Sequence, residues 1–153
     1  MNNKLKNITQ RLQKNITDVP SKFLSFSEDE LSTKPAPGKW SKKEILGHLI
    51  DSAANNHHRF VKAQTEEGPI RIISYHQNDW VEVQNYNEED TRTLVDLWNN
   101  YNKHILNIIL NFNEDMLGTK WLKEDNKASG ETILFLIKDY VDHMDHHLRQ
   151  IFD

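Results

Sequence analysis

The sequence contains 153 residues, of which 37% are hydrophobic and 27% are charged, and its formal net charge at pH 7 is −4. This length predicts one globular domain over residues 1–153, and the negative charge without a basic cluster argues against a nucleic-acid partner. Cysteine is absent, which excludes disulfide bonds, thiolate ligands and a cysteine nucleophile.

Hydropathy argues against membrane insertion and secretion. No apolar run reaches the roughly 18 residues of a membrane-spanning helix. The N-terminal residues contain no apolar block of the length found in signal peptides. We therefore expect a cytoplasmic protein without a membrane partner.

The first predicted helix covers approximately residues 2–17. Its apolar face repeats at helical spacing, at Leu5, Ile8, Leu12 and Ile16. We expect this helix to end before Val19 and Pro20, because proline disfavours a helical conformation in the preceding residue. Residues 27–30 carry a capping-box pattern, and residues 34–39 contain two prolines and a glycine that exclude a helix.

The second predicted helix begins after Ser41 and extends to about Gln64. Ser41 and Glu44 have the spacing of a capping box, in which each side chain bonds the backbone amide of the other. Trp40 precedes the cap and is predicted to pack against Ile45 as a hydrophobic staple. The start of this helix is therefore sharply defined.

The segment of residues 70–86 is predicted to be a long ordered loop across one end of the molecule. The alternatives are that residues 71–75 are extended and that residues 78–80 begin a short helix. The third predicted helix extends from about Asn87 to Phe112, with acidic residues in its first turn where the helix dipole favours them.

The fourth predicted helix follows a connection that contains Gly118 and extends from about Gly130 to Ile151. Each of the four long helices has one apolar face, and such faces are buried most simply against one another. The pattern therefore predicts an all-α fold, a four-helix bundle.

The fourth helix carries the pattern that is most informative about function. His143 and His147 lie one helical turn apart and so project from the same side. Both continue the apolar row of Tyr140, whereas His146 lies among polar residues. Such a pair suits two adjacent positions on one divalent metal ion. The alternative is an accidental pair on a histidine-rich helix.

His48 on the second helix is the third candidate ligand, although a histidine at the margin of an apolar face is ordinarily a hydrogen-bonded boundary residue. His57 also lies near the apolar face, and the pattern does not exclude it. Burying three imidazoles without partners is costly, and one shared cation would satisfy all three. This argument favours a metal site with an open position, in which His48 joins His143 and His147 and His57 is the alternative.

Three segments of the sequence resemble motifs of the DinB/YfiT-like metalloenzyme family. Residues 35–52 (PAPGKWSKKEILGHLIDS) are similar to its second-helix motif, and residues 142–151 (DHMDHHLRQI) are similar to its closing motif. Residues 73–80 (ISYHQNDW) are similar to its intervening loop. The resemblance covers essentially the whole chain. It implies a four-helix bundle with up-down-down-up connectivity, a homodimer, and a metal triad at His48, His143 and His147.

The resemblance also implies a class of reaction. The family includes S-transferases and isomerases that use low-molecular-weight thiols, and members described only as metal-dependent hydrolases. It therefore implies an enzyme that acts on a small molecule, with a metal-bound water or thiol as the nucleophile. Zn²⁺ is the expected metal, although Ni²⁺ and other first-row ions also suit imidazole, and a low-molecular-weight thiol is the candidate co-substrate. The competing hypothesis is a non-catalytic stress-response or binding module with adventitious metal or none.

Several further residues are candidates for auxiliary roles. Tyr75, His76 and Trp80 would line the pocket, with Tyr75 and His76 as candidate catalytic auxiliaries. Asp139, one turn before the histidine pair, would orient a metal ligand. Asp51 lies three residues after a candidate ligand and shares its side of the helix only loosely. The alternative hypothesis for each is an ordinary surface or packing role.

Overall fold

The computed structural model describes residues 3–153, so that Met1 and Asn2, the predicted start of the first helix, lie outside the described residues. The elements are α1 (Asn3–Phe23), α2 (Glu28–Ser32), α3 (Lys42–Thr65), α4 (Gln77–Gln84), α5 (Thr91–Leu110), β1 (Lys120–Leu122), β2 (Ala128–Thr132) and α6 (Ile133–Phe152). Short 3₁₀ turns cover Tyr86–Glu88 and Glu114–Met116. No helix within residues 3–153 combines the length and apolar character needed to cross a bilayer.

The four long helices form the predicted bundle. Both α1 and α3 pack against α5 and α6, which places α1 diagonally opposite α3. The up-down-down-up order implied by the family resemblance stays a prediction. The centre of the bundle is filled by side chains from all four helices, which include Leu12, Leu46, Phe60, Trp98, Ile105 and Ile137.

Side chains of α1 hold α6, the helix with the histidine pair, in place. Arg11 Nη2 lies 2.8 Å from Asp142 Oδ1, and Arg11 Nε lies 3.0 Å from Asp145 Oδ2. Asn15 Nδ2 donates to the second oxygen of Asp145 at 2.6 Å. These acids flank His143 in sequence, so the contacts restrict rotation of α6 about its axis.

The predicted end of the first helix at Thr17 is wrong, because α1 continues to Phe23 and contains Pro20. Proline inside a helix costs about 3 kcal/mol, since it removes one internal hydrogen bond. Val19 and Phe23 are buried in the core, and each buried side chain of this kind contributes roughly 1.5–3 kcal/mol. Burial of the last turn therefore outweighs the local preference of proline.

The two predicted capping boxes are confirmed at the starts of α2 and α3. At α3, the Ser41 amide donates to Glu44 Oε2 at 2.8 Å, and the Glu44 amide donates to Ser41 Oγ at 3.1 Å. These bonds fix the first turn of α3. The direction of His48, two turns later, follows from that start.

The interpretation of residues 70–86 as a long loop is wrong in part. They include α4, so the alternative of a short helix near residues 78–80 is confirmed. The third long helix begins at Thr91 rather than Asn87, because Asp90 caps it by accepting from the Thr93 amide at 2.8 Å.

The all-α prediction missed an antiparallel β-hairpin formed by β1 and β2. Its strands have only three and five residues, none of them fully buried, and neither shows an alternating apolar pattern. Pairing of β2 with β1 also moves the start of the fourth helix from Gly130 to Ile133, with Thr132 as its cap. The hairpin is an addition to the four-helix bundle.

Candidate metal centre

The structure brings together the three histidines that the sequence predicts as ligands. Nε2 of His143 lies 3.1 Å from Nε2 of His48 and 3.1 Å from Nε2 of His147. One ligand atom from each residue lies within 4.8 Å of the others. Across residues 3–153, no other group of three or more histidine, aspartate or glutamate side chains meets this condition.

The environment keeps these imidazoles neutral. His48 is fully buried, and burial lowers its pKa to about 3, with a smaller effect from the charges of the other two histidines. Burial is also the main cause that lowers the pKa of His143 to about 4 and the pKa of His147 below its usual range. A neutral ring can donate a nitrogen lone pair to a metal ion.

Hydrogen bonding alone does not satisfy the cluster. A neutral imidazole nitrogen carries either one N–H or one lone pair. His143 Nε2 therefore makes at most one good hydrogen bond, although two nitrogens lie 3.1 Å away. Within residues 3–153, Nδ1 of His48 has no hydrogen-bond partner. A cation among the three Nε2 atoms would remove the conflict at His143, because each Nε2 atom would then present a lone pair. The donor set fits a divalent metal.

Gln150 holds the His147 ring in a suitable orientation. Its Oε1 lies 2.7 Å from His147 Nδ1. An amide oxygen only accepts, so Nδ1 carries the proton and Nε2 keeps its lone pair toward the cluster. The Gln150 amide nitrogen lies 3.3 Å from Nε2 of the exposed His146. Gln150 was not among the predicted site residues, although its spacing of three residues from His147 is that of helical neighbours.

Replacing Gln150 by alanine is expected to weaken metal binding by about 10–100-fold, as found for groups that orient a metal-ligating histidine. The physical reason is that His147 Nδ1 loses its acceptor and the ring can adopt the other tautomer. Competition with a chromophoric chelator measures the change. Arg149→Ala, an exposed neighbour on α6, is the control. Equal affinities in both variants would contradict the orienting role.

The indole of Trp40 covers the candidate centre. Its centroid lies 4.8 Å from that of the His48 ring and 6.4 Å from that of the His147 ring. The sequence predicts that Trp40 packs against Ile45, and both residues line one cavity together with His147. Trp40 therefore also shields the histidines from solvent.

Two cavities of different character border the cluster. The larger, of about 720 Å³, adjoins His147 and has a mainly apolar wall with residues such as Pro35, Ala36, Trp40 and Ile45. The smaller, of about 170 Å³, adjoins His143 and has a mainly polar wall. The cluster is therefore accessible from two sides.

Only some of the predicted auxiliary residues lie beside the histidine cluster. Tyr75 lines the small cavity beside His143, and its ring lies 4.9 Å from that of Trp80. His76 is exposed and lines neither cavity. Asp139 also lines the small cavity, but among the described residues it makes no hydrogen bond to His143. The catalytic roles of Tyr75 and His76 stay predictions.

Asp51 is a buried carboxyl group that ties α3 to the end of α4 and to the turn that follows it. Its Oδ1 accepts from the Tyr86 hydroxyl at 2.7 Å and from Gln84 Nε2 at 2.8 Å, whereas Oδ2 has no partner within residues 3–153. Burial raises the pKa of Asp51 above its ordinary value of 3.8, and the two hydrogen bonds oppose that change. An anchoring role for Asp51 was not predicted from the sequence.

The Asp51→Asn variant is expected to change how stability depends on pH. A raised pKa means that folded Asp51 keeps its proton to higher pH than the unfolded chain. Its contribution to stability is therefore lost as pH rises through the folded pKa. The free energy of unfolding of Asp51→Asn, relative to that of the parent, should therefore increase from pH 4 to pH 7, as measured by urea unfolding. Asp96→Asn, at an exposed position of α5, is the control. Parallel curves for Asp51→Asn and the parent would contradict the expectation.

His57, His58 and His104 are not part of the cluster. His57 Nδ1 is 3.0 Å from the Tyr101 hydroxyl, and its ring lies 5.2 Å from that of His104. His58 and His104 are exposed. His57, which the helical pattern did not exclude as a ligand, therefore has a hydrogen-bonding role between α3 and α5.

Comparisons with known proteins agree with this architecture. The model of the DinB superfamily matches residues 11–151. A protein of Oceanobacillus iheyensis, provisionally named a metal-dependent hydrolase, is 24% identical over 128 residues, which cover 83% of this chain and 71% of that protein. A second protein of that organism with the same provisional name is 32% identical over 76 residues. That match covers 47% of this chain and less than half, 44%, of the relative.

Two solved structures share the fold. YfiT from Bacillus subtilis, described as a probable metal-dependent hydrolase with an unusual four-helix bundle topology, has a TM-score of 0.82 at 21% identity, over 95% of this chain and 82% of that chain. The mycothiol-dependent maleylpyruvate isomerase has a TM-score of 0.67 at 13% identity, over 94% and 59%. Because the family model matches nearly the whole sequence, this chain belongs to the DinB superfamily.

Proposed function

We propose that this protein is a metal-dependent enzyme in which His48, His143 and His147 hold one divalent ion. The observation that carries the proposal is the convergence of three neutral imidazoles, with His143 Nε2 lying 3.1 Å from the other two Nε2 atoms. Zn²⁺ is the proposed ion because of its availability. Ni²⁺ and other first-row ions also suit three imidazoles.

Within residues 3–153, no fourth histidine or acidic side chain joins the cluster, so an ion held there would keep a position open to substrate. When bound, a divalent ion lowers the pKa of a water molecule to about 7 in favourable sites and deprotonates a coordinated thiol. The proposed reaction is hydrolysis or transfer of a low-molecular-weight thiol. The names of the hydrolase relatives support the first version, and the mycothiol-dependent neighbour supports the second.

The protein's own groups prepare the site in three ways. Burial keeps His48 and His143 neutral at physiological pH. Gln150 fixes the tautomer of His147 through the 2.7 Å contact at Nδ1. Trp40 excludes water from one face of the His48 ring. These effects position the three nitrogens before a ligand arrives, which reduces the cost of ordering them.

The proposal has broader parts that rest on the sequence and the family. We propose a small-molecule substrate, a homodimer without a nucleic-acid partner, and a cytoplasmic location. We also propose that residues 1–153 act as one domain. Size-exclusion chromatography with light scattering tests the dimer directly, since a monomer at micromolar concentration would contradict it.

The metal content of untagged protein tests the central claim. After dialysis at neutral pH, elemental analysis should find about one divalent ion per chain. Protein without stoichiometric metal, even after incubation with Zn²⁺ or Ni²⁺, would contradict both enzymatic versions.

Turnover then separates the two reactions. The metal-loaded protein is incubated with a model electrophile and bacillithiol, glutathione or coenzyme A, and in parallel with ester and amide substrates without thiol. Conjugation that requires a thiol supports the transferase, and thiol-independent cleavage supports the hydrolase. Stoichiometric metal without any turnover would favour the non-catalytic module instead.

A further inference from the structure

The small cavity beside His143 has an unusual distribution of charge. Its wall carries one cationic residue, Arg59, and one anionic residue, Asp139, together with neutral hydrogen-bonding residues that include Ser52, Asn56 and Gln77. The large cavity on the His147 side is mainly apolar. The two sides of the histidine cluster therefore suit different chemical groups.

Arg59 is a half-buried cation with unused hydrogen-bonding capacity. Its guanidinium carries five N–H donors, and within residues 3–153 it makes one hydrogen bond, from Nη2 to the Ile73 carbonyl at 3.3 Å. Burial lowers its pKa, but an arginine side chain keeps its charge in proteins. It forms no ion pair with any described carboxylate. A desolvated charge of this kind is costly unless a ligand pairs with it.

Asp139 faces the same cavity from α6, one turn before His143. The negative charge of Asp139 acts to raise the pKa of Arg59, so the two groups interact electrostatically. They nevertheless form no ion pair with each other, and the Asp139 side chain makes no hydrogen bond within residues 3–153. Both charged groups are therefore free to bind a ligand between them.

Charge complementarity selects among ligands. A ligand with only negative charge would be attracted by Arg59 and repelled by Asp139. A ligand with only positive charge would meet the opposite pair of forces. A small zwitterion satisfies both walls at once, because each of its charges gains a charge-assisted hydrogen bond.

We propose that this cavity binds the α-amino-acid group of a substrate or co-substrate, with its carboxylate on Arg59 and its ammonium on Asp139. His143 borders the cavity, so the rest of the ligand would lie next to the histidine cluster. The inference rests on the proposed function of that cluster as the site of reaction. It specifies the chemical class of molecule that enters from the polar side.

Binding to metal-free protein tests the inference without any turnover. The probes are alanine, propionate, which lacks the ammonium group, and ethylamine, which lacks the carboxylate. Shifts of the Arg59 side-chain N–H signals in NMR titrations report on binding. Alanine should bind at least about tenfold more tightly than either partial analogue. Propionate that binds as tightly as alanine, or no binding of alanine at 100-fold excess over protein (about 10 mM), would overturn the inference.

Variants assign each half of the ligand to one residue. Arg59→Met should remove the preference for alanine over ethylamine, and Asp139→Asn should remove its preference over propionate, both followed through backbone amide signals. Arg59→Lys keeps the charge without the forked donors and provides a second variant if Arg59→Met does not fold. Arg92→Met and Asp96→Asn, at exposed positions of α5, are the matched controls. Unchanged alanine binding in folded Arg59→Lys and Asp139→Asn proteins would overturn the assignment.

A second experiment links the cavity to the cluster. Protein loaded with Co²⁺ is titrated with cysteine, 3-mercaptopropionate, cysteamine and 2-mercaptoethanol, and the thiolate-to-cobalt absorption band is followed. Cysteine should produce the band at the lowest concentration, by about tenfold. If Co²⁺ does not bind, the proposed metal site fails while the alanine result stands. If Co²⁺ binds and all four thiols are equivalent, the inference fails while the metal site stands.

Discussion

Replacing any one of His48, His143 and His147 by alanine is expected to abolish stoichiometric metal binding. In the proposed site the three Nε2 atoms would be the only ligands from residues 3–153, so each substitution would leave two imidazoles for one ion. Loss of a group that merely orients a ligand costs about 10–100-fold in affinity, and loss of a ligand itself should cost more than about 100-fold. The effect of these substitutions should therefore exceed that of Gln150→Ala.

Metal content after dialysis and chelator competition measure the loss, and circular dichroism confirms that each variant is folded. His146→Ala is the matched control, because His146 lies on the same helix between two of the candidate ligands but is exposed. A full complement of metal in His48→Ala would show that the ion does not lie between α3 and α6. Loss of metal in His146→Ala equal to that in His147→Ala would point to a different ligand set.

Gly47→Ala is expected to destabilise the protein by roughly 3 kcal/mol, the upper part of the usual range for overpacking. A Cβ atom at Gly47 would lie 2.1 Å from Cδ2 and 2.4 Å from Cγ of Tyr86. The whole ring would have to move, and its hydroxyl is held by the 2.7 Å hydrogen bond to Asp51. The sign is informative, because glycine to alanine inside a helix otherwise stabilises by about 1 kcal/mol.

Urea unfolding measures this change. Gly118→Ala is the control, since a Cβ there meets nothing within 4 Å. A double variant isolates the steric cause: with Tyr86→Ala present, Gly47→Ala should become neutral or stabilising. Destabilisation by Gly47→Ala that persists without the Tyr86 ring would contradict the proposed clash.

Features that depend on neighbouring residues in the chain were predictable from the sequence. The capping boxes at Ser27 and Ser41 are confirmed because each is closed by residues three positions apart. The four amphipathic helices are confirmed because burial of one apolar face requires a helical period. The end of α1 was mispredicted, since the local effect of Pro20 competes with burial of Val19 and Phe23 that only tertiary packing provides.

The residues of the candidate site also differ in how far the sequence predicted their positions. The one-turn spacing of His143 and His147 is a property of any helix, so their common direction was predictable. That His48 would meet them depended on the packing of α3 against α6. The family resemblance assigned all three histidines to one metal triad and so predicted that they would lie close together. Arg59 and its cavity had no comparable sequence signal, because its partners come from α6 and from the segment before α4.

By itself, the sequence determined the helical bundle, the family and the identity of three candidate ligands. Periodicity, caps and motifs depend only on the spacing of residues that are close together in the chain. Only the tertiary structure decided that His48 is fully buried against the histidine pair, that Gln150 orients His147, and that a short hairpin precedes α6. These features depend on contacts between segments distant along the chain. Their free energies arise from burial and from the exclusion of water, which a linear pattern does not specify.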